Sequence, residues 1–140
     1  MIDGSGQEGF VADIGIKQGV IAEVGDLQKR KALAEYNIAG LVIAPGFIDI
    51  HSHSEVSVLA NPHVTSKLYQ GVTTEVVGNC GSSVAPVLEQ TTESISKKLA
   101  KYNLELQWKG VAEYLATVQK QGSSVNLATL VGHSLLRQAV

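Results

Sequence analysis

The sequence predicts an α/β protein: a small sheet of hairpins followed by the opening units of a β/α barrel. Three observations point there. Short alternating apolar runs separated by turn residues fill the first 45 positions. From Gly46 onward the pattern switches to strand, helix, strand, helix, strand, the order that gives parallel pairing with right-handed crossovers. Residue types able to hold a metal stand at or just after the end of each of the three later strands.

The hairpin region reads in order. Phe10, Ala12, Ile14 and Ile16 alternate onto one face, Gln18-Gly19 turns the chain, Gly19 to Val24 is apolar, and Gly25-Asp26 punctuates again. Leu27 to Tyr36 reads as a polar connection with some helical character, and Gly40 to Ala44 as another strand closed by Pro45-Gly46. A small β-domain is therefore expected over residues 1–45.

The second region, 46–140, is expected to open the barrel. Phe47 to His51 reads as a strand. Asn61-Pro62 has the form of an N-cap followed by proline at the first helical position, with Gly71 stopping that helix. The β-branched run Val72 to Val77 reads as the next strand, broken by Gly78-Asn79-Cys80-Gly81. Thr92 to Tyr102 and Lys109 to Gln121 read as helices, the latter with Val111, Tyr114, Leu115 and Val118 on one stripe and Gly122 as its stop. Val125 to Val131 is the third strand. A closed barrel takes about 250 residues, against about 95 here, so these are either the opening of a larger enzyme or an open unit with exposed edges.

Composition excludes several functions. Eleven basic and 13 acidic residues give a net charge of −2, and the one basic cluster is Lys29-Arg30-Lys31, so no nucleic-acid partner is expected. Cys80 is the single cysteine, which rules out an internal disulfide and fits a cytoplasmic protein. No apolar run suits a signal peptide or a membrane span.

The stretch PGFIDIHSHSE, Pro45 to Glu55, carries the chemistry. Side chains at i and i+2 of a strand leave one face, so His51 and His53 project together with Asp49 one step below. Two imidazoles from one strand end supply two ligands of a zinc ion. An H-x-H triplet alone also arises by chance, but Cys80 follows the second strand and His133 the third, on one rim. Cys80 between Asn79 and Gly81 is poorly placed for core packing. His133 is a candidate to orient a ligand or bind a substrate carboxylate, or simply a polar strand end. Arg137 is a candidate for an anionic substrate group or a solvated helix charge. Asp49 and Glu75 are expected as inward-facing polar groups at the barrel floor, and His63 has no assigned role.

With QGVTTEVVGNCGSS (Gln70 to Ser83) and VNLATLVGHSLLR (Val125 to Arg137), the histidine stretch resembles the amidohydrolase superfamily, in its D-aminoacylase or N-acyl-D-amino-acid deacylase branch. The similarity runs over nearly the whole chain; ADIGIKQGVIAEVGD (Ala12 to Asp26) is similar to the N-terminal β-sandwich part of these enzymes. What the resemblance implies is a metal-dependent TIM-like barrel in which His51 and His53 bind a weaker metal position and Cys80 a tightly held zinc. It also implies hydrolysis of small-molecule N-acyl-D-amino acids to a carboxylate and a D-amino acid, with the remaining ligand histidines and the aspartate base on later strands. Glu55 stands where the family usually has aspartate, Ser82 where it has phenylalanine, and Ser134 departs from the commoner GHGxLR. Alternative readings are a cyclic-amide amidohydrolase of the dihydropyrimidinase or hydantoinase kind, which would not need Cys80, or a non-catalytic fragment of a truncated or split enzyme. The expectation is that this chain alone is inactive and associates with itself or with a missing C-terminal part.

Overall fold

A computed structural model describes residues 1–138. The chain falls into two compact units, Met1–Pro45 and Gly46–Val140.

In the first unit, β1 (Asp13–Lys17) and β2 (Val20–Gly25) form an antiparallel hairpin in which Lys17 faces Val20. Its two-residue turn has positive φ at both Gln18 (54°) and Gly19 (78°), the mirror-image turn whose twist matches paired strands. Phe10 to Ala12 lies outside β1; Phe10 bonds instead to the backbone of Met1. Gly40 to Ala44 is not a strand. Among the described residues, this run makes the backbone bonds Ile2 N to Ile43 O at 2.8 Å and Leu41 N to Ile38 O at 2.9 Å, which form no ladder, and Leu41 and Val42 are exposed. Leu27 to Tyr36 forms turns and no helix. The one sheet described in this unit therefore has two strands.

The second unit is built on a parallel sheet of β3 (Phe47–Asp49), β4 (Val72–Val77) and β5 (Asn126–Thr129), with β4 in the centre. Asp49 pairs with Glu75, and Glu75 with Leu127. The first strand ends two residues earlier than the sequence predicts. The Asp49 carboxylate takes the backbone N–H of His51 at 3.2 Å, a local bond that competes with the ladder.

The helix expected from Asn61 to Gly71 is replaced by two single turns, α1 (Ser57–Ala60) and α2 (Thr65–Leu68). Asn61 closes α1 instead of opening a helix, its N–H bonding Ser57 O at 2.8 Å. The following proline bars Asn61 from helical geometry, and it sits at φ −136°, ψ 84°. His63 consequently lies between the two turns. Further along, α3 (Thr92–Ala100) follows a 3₁₀ turn at Glu89–Thr91, α4 is Val111–Gln121, and α5 is His133–Arg137. Gly122 ends α4 at φ 83°, the left-handed conformation that glycine adopts without strain.

The core draws on helices and on the loops that carry Val84, Ala85 and Trp108. Val58, Leu59, Val84, Ala85, Ile95, Leu99, Trp108, Tyr114, Val118 and Leu135 form one cluster, with Val111, Leu115 and Leu127 packed against it. The α4 stripe thus meets the core as its spacing predicts. Trp108 Nε1–H donates to Val84 O at 2.7 Å and Tyr114 OH to Glu55 O at 2.9 Å, so both large rings bury their bodies and satisfy their polar atoms. Ile48, Ile50 and Leu130, by contrast, are exposed.

Candidate metal centre

Three donors converge beyond the ends of β3 and β4. The imidazoles of His51 and His53 and the thiol of Cys80 place one ligand atom each within 4.8 Å of one another. His51 Nε2 is 3.1 Å from Cys80 Sγ, and the two histidine rings lie edge to face at 5.5 Å. All three residues are exposed. The histidines project from an extended segment past the strand, not from the strand itself, yet alternation along that segment still sends them the same way. Ser52 and Ser54, the alternating positions, are buried.

Cys80 is aimed by a tight turn. It has φ 53° and lies between Gly78 at 83° and Gly81 at 74°. At Gly78 a side chain would meet the carbonyl of Leu130, and at Gly81 the hydroxyl of Ser134. Asn79 fastens this turn, donating through Nδ2 to Val76 O at 2.8 Å and to Ser52 O at 3.3 Å. Glu55 fastens it again: its Oε1 accepts the Gly78 N–H at 2.8 Å and lies 3.9 Å from His53 Nδ1. Turn and histidine segment are thereby tied at two points.

Beneath the donors lies a charged group of Asp49, Lys67 and Glu75. Lys67 Nζ pairs with Asp49 and stands 3.2 Å from Glu75 Oε1. The hydrogen bond from Lys67, then that from His51 N–H, holds the Asp49 carboxyl below its usual range. The bond to Asp49 likewise raises Lys67, against the opposing effect of burial. The sequence alone singles out no partner for Asp49 and Glu75; the fold supplies Lys67, Ser52 and Ser54. A clue was available in HSHS itself, since serines opposite two outward histidines must find polar partners inside.

His133 opens α5, is exposed, and stands outside the group of three converging donors. Arg137 is exposed in the last turn of α5, where a cation favours the helix end. His63 is exposed and stands outside the group of three converging donors.

The donor chemistry fits zinc. Imidazole nitrogen binds at about 2.0–2.1 Å and thiolate sulfur at about 2.3 Å, and the three donor atoms here lie within 4.8 Å of one another, close enough to reach one ion or two adjacent ones.

Comparison with known proteins agrees. Residues 34–139 match the Amidohydrolase family. A D-aminoacylase of Alcaligenes xylosoxydans xylosoxydans is 41% identical over 140 residues, covering 100% of this chain and 29% of the relative. A D-aminoacylase structure that addresses a binuclear metal centre superposes with TM-score 0.81 at 38% identity, covering 99% of this chain and 29% of that one. An N-acyl-D-glutamate deacylase from Bordetella bronchiseptica, solved with zinc and a phosphonate mimic of the tetrahedral intermediate, gives TM-score 0.81 at 37% identity over 98% of this chain and 28% of that one. The chain thus spans less than a third of the length of these relatives. With two thirds and more of its residues matched by the family and its whole length by these relatives, the chain belongs to the amidohydrolase family.

Proposed function

We propose that this chain forms the metal-holding opening segment of a zinc-dependent hydrolase that cleaves the amide bond of N-acyl-D-amino acids, releasing a carboxylate and a D-amino acid. The observation that carries the reading is the convergence of His51, His53 and Cys80. A thiol in that position favours the deacylase branch over cyclic-amide hydrolases, which do not need it. Residues 1–45 are assigned to a β-sandwich and residues 46–140 to the first three βα units of a (β/α)8 barrel, whose catalytic face lies at the carboxyl ends of its strands.

His51, His53 and Cys80 are the residues that would hold zinc, with Cys80 at a tight position and the histidines at a weaker one. Zinc so held supplies Lewis acidity toward the acyl carbonyl and brings a water toward ionisation near neutral pH. Glu55, beside His53 Nδ1, leaves the far nitrogen of that ring free to bind. Asp49 and Glu75 are engaged by Lys67 and Glu55 by Gly78, so general-base work falls to none of these three. The resemblance assigns it to an aspartate on a later strand. His133 remains a candidate for orienting a ligand or the substrate carboxylate, Arg137 for meeting an anionic substrate group, and Asp49, which accepts the His51 N–H, for orienting a ligand.

A chimera provides the test: these 140 residues replace the matched segment of the Alcaligenes D-aminoacylase. Zinc-dependent release of D-amino acids from N-acetyl-D-substrates, with little from the L-forms, is the expected result. A folded chimera that binds zinc and releases no amine would sink the substrate assignment.

A further inference from the structure

We propose that Glu75 is a positioning residue for the metal centre, holding the His51–His53 segment from behind through the hydroxyls of Ser52 and Ser54. The inference rests on the reading of His51, His53 and Cys80 as metal ligands. Glu75 is fully buried at the centre of the parallel sheet. Its Oε1 accepts the Ser52 hydroxyl at 2.6 Å and lies 3.2 Å from Lys67 Nζ; its Oε2 accepts the Ser54 hydroxyl at 3.0 Å.

One carboxylate therefore receives two hydroxyls that are two residues apart. A single hydrogen bond would leave an extended segment free to twist about the contact. Two bonds to the two oxygens of a rigid planar group fix both its position and its rotation. Because alternate side chains leave opposite sides of an extended backbone, fixing Ser52 and Ser54 on the inner side fixes His51 and His53 on the outer side. Lys67 completes the arrangement by bridging Glu75 to Asp49, which itself receives the His51 N–H.

Stability alone accounts poorly for such a group. A buried ion pair with hydroxyl partners is often no more stabilising than well-packed apolar residues of the same volume. What apolar residues cannot supply is directional anchoring of both serines. Outer partners that orient metal ligands are typically worth about 10- to 100-fold in metal affinity.

The test is zinc affinity of the chimera described above, which supplies the later strands, measured by competition with a chromophoric chelator, together with the visible spectrum of the cobalt-substituted chimera. Three variants are compared with the parent: Glu75→Ala, Glu75→Gln, and the pair Ser52→Ala with Ser54→Ala. Glutamine has the shape of glutamate and still bonds both hydroxyls, one through its carbonyl and one through its amide. The serine pair leaves the Glu75–Lys67 contact intact and so guards against simple unfolding, which circular dichroism monitors. The expected result is at least a tenfold weaker zinc site and an altered cobalt spectrum in the folded serine pair and in Glu75→Ala, with Glu75→Gln closer to the parent. Zinc affinity within twofold of the parent in the folded serine pair, while His51→Ala weakens it tenfold or more, would overturn the positioning role and leave the metal site standing. A folded parent chimera that takes up no zinc would overturn the metal site and this role together.

Discussion

The imidazole Nε2 of His51 stands 3.1 Å from the thiol sulfur of Cys80, although 29 positions separate them in the chain. Parallel pairing of β3 with β4 brings the two strand ends side by side, and the Asn79 side chain, bonded to Ser52 O and Val76 O, closes the remaining gap. The donor pair is thus a product of the central sheet and does not depend on chance proximity of surface side chains.

Cobalt titration of the chain should show a thiolate-to-metal charge-transfer band that Cys80→Ala lacks. Retention of the band in that variant would show that it does not arise from a thiolate, because Cys80 is the only cysteine.

Lys67→Met should destabilise the second unit. The substitution keeps much of the side-chain volume but strips the cation from Glu75, which has no contact with solvent. Lys67 is only half-buried, and taking one partner from the buried Glu75 acceptor costs about 1–3 kcal/mol. Urea unfolding should show the lowered midpoint; a midpoint equal to the parent's would mean that the two serines suffice.

Glu113 predicts an acid-side effect at the start of α4. Its Oε2 accepts the N–H groups of Lys109 at 2.6 Å and Gly110 at 3.3 Å, and the Lys109 bond, then the Gly110 bond, lowers its pKa from the usual 4.5. A carboxyl with a depressed folded pKa stabilises above its unfolded value, and that contribution is lost as pH falls through the folded one. Thermal melts between neutral pH and pH 3 should therefore fall more steeply for the parent than for Glu113→Gln. Parallel curves would remove Glu113 from the cap.

On the alkaline side, Tyr114 and Lys67 act together. Burial first, then the carboxylates of Glu55 and Glu75, raise the Tyr114 phenol from its usual 10.0, and Lys67 is raised from 10.5. Above pH 10 the unfolded chain gives up these protons before the folded one does. Stability should then decline as pH rises through the unfolded values, at up to about 1.4 kcal/mol per pH unit for each proton. Tyr114→Phe should flatten that decline while losing the bond to Glu55 O, worth about 1 kcal/mol. An unchanged alkaline slope would show that Tyr114 ionises no later in the folded state.

Where the sequence and the structure agree, periodicity dominates: α3, α4 and β4 form where helical spacing or β-branching is uninterrupted. They part where a local bond or a missing neighbour intervenes. Asp49 capturing the His51 N–H shortens β3, Pro62 makes Asn61 a stop instead of a start, and Gly40 to Ala44 has β composition but no ladder to join. At the site, His51, His53 and Cys80 were legible because metal-binding residue types are uncommon at consecutive strand ends. Lys67 was not, since one lysine in a polar segment resembles any solvated charge until the fold turns it onto Glu75.

Gly78→Ala should damage the centre without touching a ligand. The position has φ 83°, and a methyl group there would run into the Leu130 carbonyl at the end of β5, beside the backbone bond from Leu130 N to Val77 O. Strain in the left-handed region costs a non-glycine residue about 1 kcal/mol or more, and a backbone collision adds to it. Relief requires the turn to move, and Cys80 sits two residues on, with the Glu55 carboxylate bonded to the Gly78 N–H itself. The variant should therefore unfold at lower temperature, and its folded fraction should bind zinc more weakly than the parent, because both Cys80 and the carboxylate beside His53 shift. A variant with a lowered melting temperature but parent-like zinc affinity would show that the Cys80 turn tolerates displacement from β5.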